Sequence, residues 1–256
     1  MVTQKENRNV IIKKVINEIN GLAFGSSQVW SERDRAFFEN RYSRIFSLFP
    51  EIKKNDIGLE VGLCGGIMAF SLKKFFLLKK LYTLEHPTVC SQLTKKYLDK
   101  LRRNEIILKS CDLHIDRLPW PDGFFDFVIF SEIMEHLIPV DIPIVIQEIK
   151  RVLKKDGWLF ISTPNIASLI KRINLLLGKN PIRLDLDLHE RATYGHIKEY
   201  TMKELVNMLQ SKDFKIRKRN YFMIDEKRNF FIQLESLAAK FLPFLANNLA
   251  VLAKKA

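Results

Sequence analysis

Ile57-Gly58-Leu59-Glu60-Val61-Gly62-Leu63-Cys64-Gly65-Gly66 reads as a short apolar strand that runs into a glycine-rich turn. A helix is expected to follow. A second strand, Leu81-Tyr82-Thr83-Leu84, then ends on Glu85, nineteen residues after Gly66. Strand, glycine turn, helix, strand and acid, in that order, are the layout of a nucleoside site in an α/β domain. The glycines let the backbone approach a ligand, and the acid hydrogen-bonds ribose hydroxyls. Glu60 narrows the choice of ligand. A carboxylate just before the turn repels a pyrophosphate and suits a ligand that carries positive charge. The dinucleotide spacing G-x-G-x-x-G is also broken, because Cys64 and Ile67 stand where glycines are needed. A cationic nucleoside without phosphates fits, and a dehydrogenase is disfavoured.

Downstream, strands and helices alternate. A helix after Pro87 carries Val89, Leu93, Tyr97 and Leu101 at a spacing of four. The next strands are read at 105–109, 125–130 and 158–162, with a helix over 141–154 between the last two. Past Pro164, residues 166–177 look helical and 178–197 irregular. Thr201 and Glu204 form a capping box for another helix. Strand-like segments at 214–224 and 248–254 flank an amphipathic helix near 226–242. Upstream, Ile12, Val15, Ile16 and Ile19 mark one helix. Phe38, Tyr42, Ile45, Phe46 and Phe49 mark a second, opened by Ser31 and Asp34. The alternation predicts a doubly wound, mostly parallel sheet with helices on both faces. Residues 1–256 are expected to form one domain: N-terminal helices over 1–50, a cofactor-binding core over 55–165, and an acceptor lid with the final strands over 166–256.

The chain has 256 residues, 47% of them hydrophobic, which is ample for a core. No apolar run approaches the length of a membrane span. Met1-Val2-Thr3-Gln4-Lys5-Glu6-Asn7 lacks the charged-then-apolar pattern of a signal peptide. Cys64, Cys90 and Cys111 show neither metal spacing nor an even count, so a reducing cytoplasm is the expected setting. The net charge of +13 is compatible with nucleic acid or an anionic membrane surface. Its Lys and Arg residues are scattered, however, at 73–74, 79–80, 95–96, 102–103 and 212–219. Solvated faces explain such runs better than a nucleic-acid footprint.

Taken in order, these residues resemble the class I S-adenosylmethionine-dependent methyltransferases, in particular the type 11 group. Leu59 to Gly66 is similar to their first motif, acid-x-Gly-x-Gly-x-Gly, with Cys64 in place of the middle glycine. Leu118-Pro119-Trp120-Pro121-Asp122-Gly123 resembles their "LPFPDG" stretch. Glu135-His136-Leu137 resembles "EHL", and Arg151-Val152-Leu153-Lys154-Lys155-Asp156-Gly157 resembles "RVLKPGG". The resemblance implies a Rossmann-like fold whose final strand is antiparallel, with a helical N-terminal extension and a lid insertion. It implies S-adenosylmethionine as cofactor, held by Glu60, Gly62, Gly66, Glu85, Asp112, Leu113 and Ser131. Cys64 is expected to crowd the methionine portion of the cofactor or to shift the backbone. The stretches 162–169, 175–179 and 195–201 resemble methyltransferases of cell-surface sugar and polysaccharide pathways. A small-molecule, sugar or lipid-linked acceptor, methylated on oxygen, is therefore expected. An RNA methyltransferase and a non-catalytic binding module are the rivals, the first raised by the charge and the second by Cys64.

Methyl transfer from a sulfonium needs positioning, and a hydroxyl acceptor also needs a base or a metal. His136, Glu135 and His196 are the catalytic candidates. Glu132-Ile133-Met134-Glu135-His136, if helical, would place Glu132, Glu135 and His136 on one face. The string resembles the cation-binding one of certain O-methyltransferases, with His196 as a further ligand. A divalent cation on Glu132, Glu135, His136 and His196 is therefore kept as the less favoured reading, beside a capped turn bordering the pocket. His114 and His189 show no partner pattern. The apolar stripe Phe230, Phe231, Leu234, Leu237, Phe241 and Leu242 is expected to pack on the sheet or over the acceptor site, in preference to facing a membrane.

Overall fold

A computed structural model of the protein describes residues 4–25, 29–182, 195–224 and 230–256. Strands β1 (Gly58–Val61), β2 (Leu81–Glu85), β3 (Ile106–Ser110), β4 (Phe125–Ser131), β5 (Leu153–Pro164), β6 (Phe214–Phe222) and β7 (Asn248–Lys255) form one sheet. Its order is β3-β2-β1-β4-β5-β7-β6. The pairs β3–β2, β2–β1, β1–β4 and β4–β5 are parallel, and β7 runs antiparallel to both β5 and β6. The order reverses between β1 and β4, so a crevice opens where the carboxyl ends of these two strands diverge.

The helices are α1 (Gln4–Ile19), α2 (Glu32–Leu48), α3 (Ile67–Phe76), α4 (Pro87–Gln92), α5 (Lys95–Arg103), α6 (Ile142–Val152), α7 (Leu169–Leu176), α8 (Met202–Ser211) and α9 (Phe230–Phe241). Two apolar layers sandwich the sheet. Leu59 and Val61 of β1 face a layer built with Ile142, Ile146 and Ile149 of α6 and Leu205 and Leu209 of α8. The opposite layer holds Ile12, Val15 and Ile16 of α1, Ile45 and Phe46 of α2, Phe70 of α3 and Tyr97 of α5. The N-terminal helices are thus part of the core. Phe127 and Ile129 face this second layer while Val128 and Phe130 face the first, the period-two alternation of a central strand.

Both expected capping boxes form. Ser31 Oγ accepts from the Asp34 N–H at 3.2 Å, and Thr201 Oγ1 accepts from the Glu204 N–H at 3.2 Å. The helix after Pro87 differs from expectation, because it breaks into α4 and α5. Thr94 causes the break. Its N–H donates to Ala23 O at 2.9 Å and its hydroxyl donates to Leu22 O at 2.5 Å. The same hydroxyl caps α5 by accepting from the Tyr97 N–H at 3.1 Å. His114 also has a partner, Asp141, at 2.7 Å from its Nδ1. His189 lies outside the described residues, as does most of the 178–197 segment. The stripe on α9 does not pack on the sheet: Phe230, Phe231, Leu234, Leu237, Phe241 and Leu242 are exposed, and the buried residue of the helix is Glu235.

Arg151 locks the turn that enters β4. It donates to Trp120 O at 2.8 Å, to Leu118 O at 2.9 Å, and to the carboxylates of Asp122 and Glu148. Replacing it removes the charged donor shared by the Trp120 carbonyl, the Leu118 carbonyl and Glu148, and leaves Leu118 O with the Trp120 N–H alone. Arg151→Ala is expected to destabilise the protein by about 2 kcal/mol in urea unfolding.

Candidate active site

The glycine turn closes directly above β1. Gly62 and Gly66 have φ of +84° and +87°, a region that favours glycine. A Cβ on Gly62 would lie 2.3 Å from Ile133 Cδ1, and one on Gly66 would lie 2.3 Å from the Tyr97 hydroxyl. Cys64 adopts φ +37° and is exposed. The turn therefore keeps a left-handed backbone at Cys64, at a cost of order 1 kcal/mol for a residue with a Cβ. Among the described residues no side chain caps α3, so its first N–H groups face the turn. Glu85 clamps the turn from the end of β2. Its Oε2 accepts from the Cys64 N–H at 3.1 Å and its Oε1 from the His86 N–H at 2.9 Å.

Glu60 lies one strand over and is 4% exposed. Its register neighbour on β2 is Thr83, also buried. Glu60 Oε2, Thr83 Oγ1 and Tyr97 Oη are all buried without a hydrogen-bond partner among the described residues. Burial, with the Glu85 charge added, holds the Glu60 carboxyl well above the usual carboxylate range. Burial, with the Glu60 charge next, likewise raises the Tyr97 phenol. Three orphaned polar groups beside a glycine turn are the fingerprint of a site shaped for a polar ligand.

Asp112 stands beyond β3, partly exposed. Its Oδ1 accepts from the His114 N–H at 2.9 Å, and its Oδ2 lies 3.5 Å from His86 Nε2. Leu113 is half-buried against the first apolar layer. The Ser131 hydroxyl bonds Ser162 Oγ at 2.7 Å and caps no helix.

The string after β4 is not helical. Glu132 has φ +56°, and only Met134–His136 makes a single 3-10 turn. Glu132 is consequently turned aside. It accepts from Ser162 Oγ at 2.7 Å and Asn248 Nδ2 at 3.0 Å, and lies 3.6 Å from Arg41. It is not among the groups that converge. Among the described residues, Glu135, His136 and His196 bring one ligand atom each within 4.8 Å of one another. The two imidazole rings meet edge to face at 5.1 Å. Glu135 is fully buried and accepts from Thr163 Oγ1 at 3.0 Å. Its backbone carbonyl accepts from the Ile197 N–H at 2.7 Å, which brings the His196 loop to it. Burial, with Glu132 nearby, raises the Glu135 carboxyl well above its usual range.

His196 Nδ1 lies 2.9 Å from Glu199 Oε1, and Lys171 pairs with the other Glu199 oxygen. Burial pushes the Glu199 carboxyl up, but His196 and Lys171 outweigh it and hold it below its usual value. Glu199 was not singled out from sequence; its spacing of three from His196 was the available signal. Tyr97 and Tyr42 were legible only as apolar positions of helices, and Arg41 carried no signal. Arg41 brings the charge of α2 to Glu132 and Cys64, with Tyr42 beside it.

A family model described as a methyltransferase domain matches residues 29–219. The chain belongs to the methyltransferase-domain family. The sheet is that of its class I members. Three solved structures are similar to it in fold. One is an S-adenosylmethionine-dependent methyltransferase from Archaeoglobus fulgidus, 18% identical, covering 88% of this chain and 95% of that one, with a TM-score of 0.55. A second, from Mesorhizobium loti, is 15% identical over 84% and 97% of the two chains, with a TM-score of 0.55. A third, from Methanosarcina mazei, is 16% identical over 81% and 98%, with a TM-score of 0.56. No curated protein matches the sequence.

S-adenosylmethionine is the cofactor of this methyltransferase, and the orphaned groups fit it. A buried carboxylate without a partner is stabilised by an ammonium, and a left-handed turn leaves room for a nucleoside. Unfolding returns Glu60 to a carboxylate pKa of about 4.3. The folded chain therefore binds more protons above that pH, and this group's contribution to stability falls as pH rises toward its folded pKa. Below about pH 4 both states are protonated and the contribution is fully present. Glu60→Gln is expected to flatten this dependence. Without cofactor the variant should melt higher than wild type at neutral pH and above, as measured by thermal unfolding across pH.

Proposed function

We propose that this methyltransferase moves the methyl group of S-adenosylmethionine onto an oxygen of a small-molecule, sugar or lipid-linked acceptor, with His196 taking the hydroxyl proton. The cofactor supplies a methyl group already activated on a sulfonium, so the protein's share is placement and proton removal. The observation that carries this reading is the His196–Glu199 pair at 2.9 Å. An ionised carboxylate only accepts hydrogen bonds, so it assigns the proton to Nδ1 and leaves Nε2 as the base. The arrangement orients an imidazole as the carboxylate of a hydrolytic triad does. His136 and Glu135 border the same space. Ile133 rests against Gly62, which ties this space to the cofactor turn.

Glu60 is assigned to the ammonium of the cofactor and Glu85 to its ribose. Gly62 and Gly66 give backbone clearance. Asp112 and Leu113 are assigned to the adenine, and Ser131 to the pocket wall. Glu85→Ala is expected to weaken binding of S-adenosylhomocysteine by about tenfold or more in calorimetry, equivalent to a charge-assisted bond pair.

A second reading rests on the convergence of Glu135, His136 and His196, a donor set suited to a divalent cation. Chelation separates the two. Under the base reading, turnover survives chelator treatment, His196→Ala lowers kcat by about a hundredfold or more, and Glu199→Gln lowers kcat with KM little changed. Loss of turnover on chelation, restored by an added divalent metal, would move the assignment to a metal.

A further inference from the structure

The carboxyl end of β5 and the start of β7 pair at Pro164 and Asn248, at the same sheet edge as Thr163 and Glu135. Two elements grow outward from this edge and pack together. Glu235 of α9 accepts from the Ile170 N–H of α7 at 3.0 Å. Asn165 donates to Phe244 O and Ala246 O, at 3.0 and 2.7 Å, which fastens the turn after α9 to the end of β5. The outer face of this unit is apolar. Leu175 is 67% exposed, Leu176 86%, Phe230 73%, Phe231 58% and Phe241 78%. Scattered exposed leucines need no explanation, but aromatics and leucines gathered on two adjoining helices do.

Among the described residues of α7, α9 and the turns after them, the exposed charges are cations. Residues 169–182 contain no acid, and residues 230–246 contain one, Glu235, which is buried beneath α7. Arg172, Lys179 and Lys240 are exposed on the same segments, and the Arg172 guanidinium lies 5.7 Å from the Phe244 ring centroid. The neighbouring edge strand β6 adds exposed Arg217, Lys218 and Arg219, and Tyr221 lies within reach of both Arg219 and Arg172. Apolar side chains that seek a low-dielectric phase, with an excess of exposed cations on the described residues around them, match the headgroup layer of an anionic bilayer. A nucleic acid would satisfy the cations and leave the phenylalanines wet. A second copy would press two basic rims together.

We infer that the α7–α9 face docks on an anionic lipid bilayer and turns the mouth of the site toward it. This goes beyond the proposed reaction, because docking requires neither cofactor nor acceptor. The test is co-sedimentation of the full chain with vesicles of phosphatidylglycerol and phosphatidylcholine, against vesicles of phosphatidylcholine alone. Binding is expected on the mixed vesicles and is expected to weaken with added salt. Phe230→Ser with Phe241→Ser should lower partitioning by about tenfold or more, since each removes a phenyl ring from the interface. Arg172→Glu with Lys179→Glu should do the same through charge. Ile115→Ser, at an exposed position away from the face, should leave it unchanged. Circular dichroism checks that each variant folds. The proposal fails if neither vesicle binds, if binding is indifferent to the face variants, or if those variants instead abolish self-association in sedimentation.

Discussion

Glu60, a buried carboxylate without a partner among the described residues, is the constraint around which the rest of the site is arranged. Glu60 projects from a central strand into a layer of isoleucine and phenylalanine, where an unpaired charge is costly. Neighbouring groups do not relieve it: Thr83 and Tyr97 are themselves unpartnered, and Glu85 adds a like charge. A sequence selected for stability alone would place an apolar residue here. The strain makes sense as the complement of a cation that arrives from outside, since binding energy is greatest where the free protein is least satisfied.

That demand propagates outward through the backbone. Under the proposed assignment of Glu60 to the cofactor's ammonium, the chain must pass the end of β1 with no side chain in the way, and Gly62 and Gly66 lie where a Cβ would meet Ile133 and Tyr97. The turn then needs an anchor, and Glu85 supplies one through the Cys64 N–H. Under the proposed assignment of Glu85 to the ribose, the ligand would share or replace that bond. On the far side, Ile133 links the turn to the 132–136 string, and Glu135 holds the 196–198 loop through its carbonyl. Cofactor turn and candidate base are thus joined by one short path of packed and hydrogen-bonded groups.

Local chemistry explains what was legible before any coordinates. The glycine turn, Glu85 and both capping boxes depend on residues close in sequence, and their patterns survive in the fold; the antiparallel last strand was implied by the family resemblance and is also present. The features that escaped depend on distant partners. Thr94 looks like mid-helix until Leu22 and Ala23 bind it. Glu132 looks like a ligand until Ser162, Asn248 and Arg41, from three other elements, draw it away. Tyr97 reads as one more apolar position, because periodicity cannot distinguish a ring whose hydroxyl ends against a glycine. Glu199 gains its meaning only when His196 and Lys171 meet it.

The α9 stripe shows the same limit in reverse. Its spacing correctly marks an apolar face, but spacing says nothing of what covers that face. The covering partner inside the chain is α7, and what α7 meets is the opposite side, where Glu235 caps its first turn. An acid facing inward and phenylalanines facing outward invert the usual pattern of a surface helix. Such an inversion is stable only if the inward acid is hydrogen-bonded and the outward rings find a phase other than water. The first condition is met by the Ile170 N–H. The second places the face, and with it the rim of the site, where water ends.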